Sequence, residues 1–208
     1  MALHSSSPAL GVATVDLNSP DTTINSSSFP VGRSLSNNFL TCIEDVLPAS
    51  SWPQICRIAV AIGPGGFTGT RLTVVIARTL AQQLNCPLDG ISSFALMAPR
   101  LTNQLSPNQK HQPFWIIKEQ PRRGLIGGKY QINSFSNNIE NAEVLELEEP
   151  HLISEEVLIE PAIKASDNVD SDVVQLLNTS LIAHQREQKS QWNKVLPLYP
   201  TSPIKNTK

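Results

Sequence analysis

Nine consecutive residues, Gly63-Pro64-Gly65-Gly66-Phe67-Thr68-Gly69-Thr70-Arg71, have the types and spacing best suited to chemistry. They follow the apolar run Arg57 to Ile62, which reads as a buried strand, and they open a helix expected over Thr68 to Leu84. Four glycines in this stretch give the backbone unusual conformations and close approaches. A helix N-terminus behind such a loop presents free N–H groups and the positive end of the helix dipole, which suits an anion. Two readings stay open on the residues alone: a cradle for an anion, or a tight strand-to-helix turn whose glycines permit dense packing. The stretch is not a nucleotide-binding P-loop, because the Lys-Ser/Thr pair is missing, and the dinucleotide GxGxxG spacing fails.

Other reactive residues are dispersed. His4, His111, His151 and His184 make no HxxxH pair, and Cys42, Cys56 and Cys86 make no CxxC. No metal site, cofactor, or Ser-His-Asp or Cys-His grouping is assigned, and no catalytic residue is named. Cys42 and Cys86 read as small core residues, and the odd cysteine count fits a reducing compartment. Net charge is -2, which gives no electrostatic reason to bind nucleic acid alone. Arg122 and Arg123, with Lys118 and Lys129, form a local basic cluster that reads as a solvated strand end or turn. The N-terminus lacks a basic segment followed by an apolar run, and no stretch approaches a membrane span, so a cytoplasmic protein is expected.

The elements that must position the glycine-rich stretch are legible around it. Hydrophobic residues make up 40% of the chain of 208, enough for one core or two small lobes. Met1 to Ser5 and Ala9 to Leu17 read as strands at hairpin distance, with a weak third near Thr22 to Phe29. Ser34 to Leu47 reads as an amphipathic helix, capped by Ser34 or Ser36 and ended by Pro48. Leu88 to Ile91 fits a short strand and Ser93 to Leu101 a short helix. Polar Asn103 to Pro113 is a boundary between lobes, 1–102 and 103–208. Beyond it, Phe114 to Ile117 and Leu125 to Phe135 read as strands, Glu143 to Leu147 and Val157 to Ile159 as weaker ones. Ser171 to Gln188 reads as a helix and Asn193 to Lys208 as an extended tail. Alternating strands and helices in the first half favour an α/β lobe with a mixed sheet.

The helix over Thr68 to Leu84 is apolar over more than one face. Leu72, Val75, Ile76 and Leu80 form one stripe, which Val74, Ala77, Ala81 and Leu84 broaden. Such a helix needs two surfaces to bury. Its second neighbour is either the helix Ser34 to Leu47, with Phe39 and Ile43 on its apolar side, or a helix of a partner. Small Ala77 and Ala81 permit close approach.

The stretch from Gly63 to Arg71 resembles the GPGSFTGLR hallmark of the TsaB (YeaZ) family. Leu72 to Leu84, the Ser92-Ser93-Phe94-Ala95-Leu96 stretch, the opening from Met1 to Ala13 and the closing segment Asn193 to Pro203 resemble that family as well. Departures are specific. His4 stands where the family opening carries an aspartate, and Gly66 where the loop has a serine. Gln120 and Pro121 precede Arg122 where Asp-Ala is usual, and Leu125-Ile126-Gly127 replaces Glu-Val-Tyr.

The resemblance implies the α/β fold of actin, sugar kinases and heat-shock ATPases, with two ribonuclease-H-like lobes, here catalytically degenerate. It implies a non-catalytic accessory subunit for making N6-threonylcarbamoyladenosine at position 37 of tRNAs reading ANN codons. TsaD would be its heterodimer partner, with TsaE joining the complex, tRNA reached only through the complex, and a homodimer competing for the same surface. The implied interface is Phe39, Ile43, Leu72, Val75, Ile76, Ala77, Leu80 and Ala81, beside the loop motif. The competing expectation is an active small kinase or glycoprotease-like hydrolase of the same superfamily.

Overall fold

The computed structural model describes residues 1–19, 23–133, 143–154 and 156–201. They form two compact units, Met1–Ser93 with Asn168–Pro197, and Phe94–Asp167 with the described residues from Leu198 onward.

The first unit is built on five strands: β1 (Ala2–His4), β2 (Leu10–Val15), β3 (Ile24–Phe29), β4 (Ile58–Ala61) and β5 (Leu88–Ile91), in the order β3-β2-β1-β4-β5. β1 runs antiparallel to β2 and parallel to β4, and β4 runs parallel to β5. The mixed sheet expected from alternating elements is therefore present. Helices α1 (Leu35–Val46) and α2 (Phe67–Leu84) pack on one face. There Leu3, Leu10, Val12, Ile58, Val60 and Leu88 meet Phe39, Ile43, Val74, Ala77 and Ala81 in one core. Strand side chains alternate between faces, and the opposite face carries small residues. A Cβ on Gly11 would lie 2.6 Å from Val169 and 3.0 Å from Val173 of helix α4 (Val169–Gln185), so α4 covers that face closely. This helix lies in the expected 103–208 lobe by sequence, yet it belongs to the first unit.

Helix ends follow local chemistry, with one correction. Ser34 is the N-cap residue of α1, but its side chain makes no capping bond; the hydroxyl donates to the Val31 carbonyl at 2.7 Å. Asn85 ends α2 in the left-handed conformation at φ 51°, a conformation asparagine tolerates better than most residues. Asn168 caps α4, its side chain accepting from the Ser171 N–H at 3.2 Å.

Helix α3 (Ser93–Leu101) leads into the second unit, whose four strands are β6 (Phe114–Gln120), β7 (Gly124–Asn133), β8 (Glu143–Leu152) and β9 (Ala162–Lys164). Their order is β8-β7-β6-β9, with β9 parallel to β6. Buried Phe114, Trp115, Ile116, Ile126, Tyr130 and Ile163 supply much of this unit's apolar interior. The strand expected at Val157 to Ile159 is absent. Val157 donates back to Ser154 in a turn at 3.2 Å, and Leu158 is 78% exposed, so the run does not pack as a buried strand. The strand lies instead at Ala162–Lys164, too short to show a period. Ser134 and Phe135 of the expected β7 end lie outside the described residues, as does the last part of the expected tail.

The amino group of Met1 is buried and donates to the Arg57 carbonyl at 2.9 Å. Desolvation drives its pKa down from 8.0 to about 6, against the negative groups of Cys56, Cys86 and Asp89, which pull it up. Below pH 6 the folded state holds a buried charge; between pH 6 and 8 the unfolded chain binds the extra proton, so stability rises with pH there. For the chain beginning at Met1, the expected gain from pH 6 to pH 8 is about 2 kcal/mol. Denaturant melts across that range, compared with the same chain acetylated at Met1, check it. An unchanged slope after acetylation assigns the pH dependence to other groups.

Candidate functional site: the glycine loop and the α2 face

The glycine-rich loop joins β4 to α2 and packs on the turn between β1 and β2. Gly66 donates its N–H to the Ser6 carbonyl at 2.8 Å, and Ser93 donates to the Gly63 carbonyl at 2.7 Å. A Cβ on Gly65 would lie 2.2 Å from the Ser6 carbonyl oxygen and 2.6 Å from its Cα. A Cβ on Gly69, in the first turn of α2, would lie 2.8 Å from the Ser5 carbonyl oxygen. Only Gly63 of the loop has a positive φ, 101°, so Gly65 and Gly69 are required by contact and not by dihedral angle. Around them Ser5 bonds Thr73, and Ser93 donates to Ser6 at 2.6 Å, all four side chains buried. His4, at the end of β1, is buried as well. Of the two readings open on the sequence, dense packing accounts for the glycines, and the loop amide of Gly66 already has its acceptor.

Pro64 is buried, while Thr68 and Arg71 are exposed; the Arg71 guanidinium lies 4.9 Å from the centre of the Phe67 ring, which is 42% exposed. Gly66 differs from its neighbours. It is the N-cap residue of α2 at φ −61°, with no side chain to cap the helix, and a Cβ there meets only the Ser6 oxygen at 3.9 Å.

The eight residues expected at a partner interface divide sharply. Phe39, Ile43, Ala77 and Ala81 are buried in the first unit's own core. That corrects the expectation for these four: small Ala77 and Ala81 let α2 approach its own sheet. Leu72, Ile76 and Leu80 are half-buried against that core. Val75 faces outward at 57% exposure, and Leu40 of α1, absent from the expected set, is exposed at 51%. A wheel drawn on hydrophobicity alone misplaces the buried arc, because Thr70 and Thr73 are buried there along with Val74.

The basic cluster is engaged within the second unit. Lys118 lies 3.6 Å from Asp167, Lys129 lies 3.8 Å from Glu148 and over the Trp115 ring, and Arg123 donates to Thr201 at 3.3 Å. A buried ion pair went unread in the sequence. Arg57 donates to both carboxylate oxygens of Asp89 at 2.7 and 2.8 Å. The same pair gathers Ser180, Ser190 and the Gln188 carbonyl, pinning the chain after α4 to the sheet. The available signal was a charge at an edge of each apolar strand run. Among the described residues no three His, Cys, Asp or Glu side chains gather as a metal site, and no helix is long and apolar enough to cross a membrane.

A family model described as TsaD: tRNA N6-adenosine threonylcarbamoyltransferase matches residues 30–118. The chain is 45% identical over 47 residues to the tRNA threonylcarbamoyladenosine biosynthesis protein TsaB of Bacillus subtilis (strain 168), covering 22% of this chain and 20% of that protein. It is 34% identical over 80 residues to the TsaB of Escherichia coli (strain K12), covering 38% and 35%. The chain thus matches only a fifth to about a third of the length of these curated relatives. Among solved structures, YeaZ from Pseudomonas aeruginosa superposes with a TM-score of 0.70 at 20% identity, over 95% of this chain and 97% of that one. A second structure, described as an uncharacterized protein with similarity to peptidase YeaZ from Pseudomonas aeruginosa, gives 0.70 at 19%, over 96% and 98%.

Two sheets of this topology, with these neighbours, support a ribonuclease-H-like fold of the type shared by actin, sugar kinases and heat-shock ATPases. Over part of its length the chain is similar in sequence to TsaB proteins, and over nearly all of it the fold is similar to that of YeaZ.

Proposed function

We propose that this protein is a non-catalytic, cytoplasmic accessory subunit in the synthesis of N6-threonylcarbamoyladenosine at position 37 of tRNAs reading ANN codons. It acts by binding and supporting a TsaD catalytic subunit, with TsaE joining the pair and tRNA reached through the complex. The observation that carries the reading is the loop: where an active member of the class would hold phosphate, Gly65 is packed on Ser6 and the Gly66 N–H is taken by the Ser6 carbonyl. His4 ends β1 where a magnesium-binding member would supply a hard oxygen ligand. These two features support reading the first unit as degenerate. The outer face of α2 around Val75, with Leu72 and Ile76 beside it and Leu40 on α1, is the surface offered to TsaD or to a second copy of this chain. In this reading residues 1–102 carry the partner-binding helices.

Tagged TsaD from the same organism is expected to retain this chain on a column. Threonylcarbamoyl transfer to tRNA by TsaD and TsaE is expected to depend on adding it. The chain alone is expected to turn over no ATP. Magnesium-dependent ATP turnover above a heat-killed control makes it an enzyme of the class instead. Failure to bind TsaD removes the accessory reading.

A further inference from the structure

We infer that Cys56 and Cys86 are a redox pair, a dithiol that closes to an intramolecular disulfide when the protein meets a low-molecular-weight disulfide such as oxidised glutathione. The sheet supplies the geometry. Ile58 of β4 and Leu88 of β5 are partners in the parallel ladder, and the Ile58 N–H bonds the Pro87 carbonyl at 3.0 Å. Cys56 and Cys86 stand two residues before these partners, one leading into each strand. An even offset returns both to the face of Ile58 and Leu88. Adjacent strands lie about 4.8 Å apart, inside the span of about 4.4–6.8 Å that a disulfide bridges between Cα atoms.

The two thiols differ as such a pair requires. Cys56 is exposed and Cys86 is buried, and both are free. Cys56 also borders an open cavity of about 700 Å³ that Met1 and His184 line from other elements, which gives a small disulfide a way in. The groups sense one another. Burial raises the Cys86 thiol first, the Met1 amine opposes that, and negative charge on Cys56 raises it again.

Cys56 thiolate attacks one sulfur of oxidised glutathione, forming a mixed disulfide and releasing one glutathione thiolate. Cys86 gives up its proton to solvent, attacks the Cys56 sulfur and releases the second glutathione. The protein loses two hydrogen atoms, and one molecule of oxidised glutathione becomes two of reduced glutathione. Because the Cys86 thiol is raised, the second step is the slow one at neutral pH. Its rate climbs by up to about tenfold per pH unit.

The full chain is incubated with oxidised and reduced glutathione at graded ratios, quenched with acid, and mapped by mass spectrometry without reduction. The expected product is a monomer carrying a Cys56–Cys86 cross-linked peptide pair, with Cys42 unmodified. Cys56→Ser, a change at an exposed position, is expected to remove the reaction. Cys86→Ser, with its fold verified by circular dichroism, is expected to stop at the mixed disulfide. Persistence of wild-type protein as the Cys56 mixed disulfide at high pH overturns the pairing. A Cys56-linked dimer, or a bridge to Cys42, overturns it equally.

Discussion

Replacing Gly65 with alanine is expected to destabilise the protein by about 3 kcal/mol or more, a loss of about 6–12 °C in melting temperature for a chain of this size. The added methyl lands 2.2 Å from the Ser6 carbonyl oxygen and 2.6 Å from its Cα. Both obstacles are backbone, so no rotamer change relieves them; the β1–β2 turn must retreat. Retreat lengthens the 2.8 Å bond from the Gly66 N–H to the same Ser6 oxygen. It also disturbs the buried hydroxyl contact between Ser6 and Ser93. Gly69→Ala meets the Ser5 oxygen at 2.8 Å and is expected to cost less, about 1–3 kcal/mol. Gly66 is the internal control. Its Cβ has room, its φ of −61° suits any residue, and it occupies the N-cap of α2. Gly66→Ser is expected to be neutral or to gain a few tenths of a kcal/mol from a capping bond. Thermal melts of the three variants decide the matter by their order. Gly65→Ala melting within a degree of the parent, or Gly66→Ser falling as far as Gly65→Ala, contradicts the packing account of the loop.

The loop illustrates where sequence reading works and where it stops. Glycine spacing between an apolar strand and a helix located the segment, and β4, α2 and β5 fall where the patterns placed them. What the glycines are for was undecidable, because the contact that uses them comes from Ser5 and Ser6, some sixty residues away in sequence. A long-range contact leaves no mark on local periodicity. The same limit applies to α2. The sequence reading offered Ala77 and Ala81 to a partner along with Val75, but a helix lying on a sheet of short side chains buries its small residues and threonines inward. Leu40 was missed because it stands on the polar side of an otherwise regular α1 stripe. In the second unit, three-residue β9 is recognised only through its pairing with Trp115 to Ile117, which sequence alone does not reveal.

Arginine at position 77 and arginine at position 75 are expected to fail in opposite ways. Ala77 has no exposure, and its helix lies directly on the sheet. Ala77→Arg must bury an unpaired charge, about 3–5 kcal/mol, and overpack the core, about 1–3 kcal/mol more. Against a total stability of about 5–15 kcal/mol, the expected result is a chain without cooperative unfolding or native circular dichroism. Val75 is 57% exposed, so Val75→Arg is expected to leave the monomer's stability within about 0.5 kcal/mol. If the face around Val75 docks on a partner helix, the same arginine becomes a buried charge without a counterion. Truncations and mispairings of that kind cost about 2–5 kcal/mol of binding, so affinity for TsaD, or for a second copy, is expected to fall about 30-fold or more. Leu40→Arg on α1 extends the test along the surface, since Leu40 is 51% exposed and outside the core cluster. Each variant needs two measurements, circular dichroism for the fold and sedimentation with and without TsaD for association. Val75→Arg and Leu40→Arg that stay folded and bind at parental affinity remove this face from the interface. A folded Ala77→Arg removes the packing of α2 described above. Folded variants at 75 and 40 that lose the partner, beside an unfolded variant at 77, identify one helix with an inner face for its own sheet and an outer face for another chain.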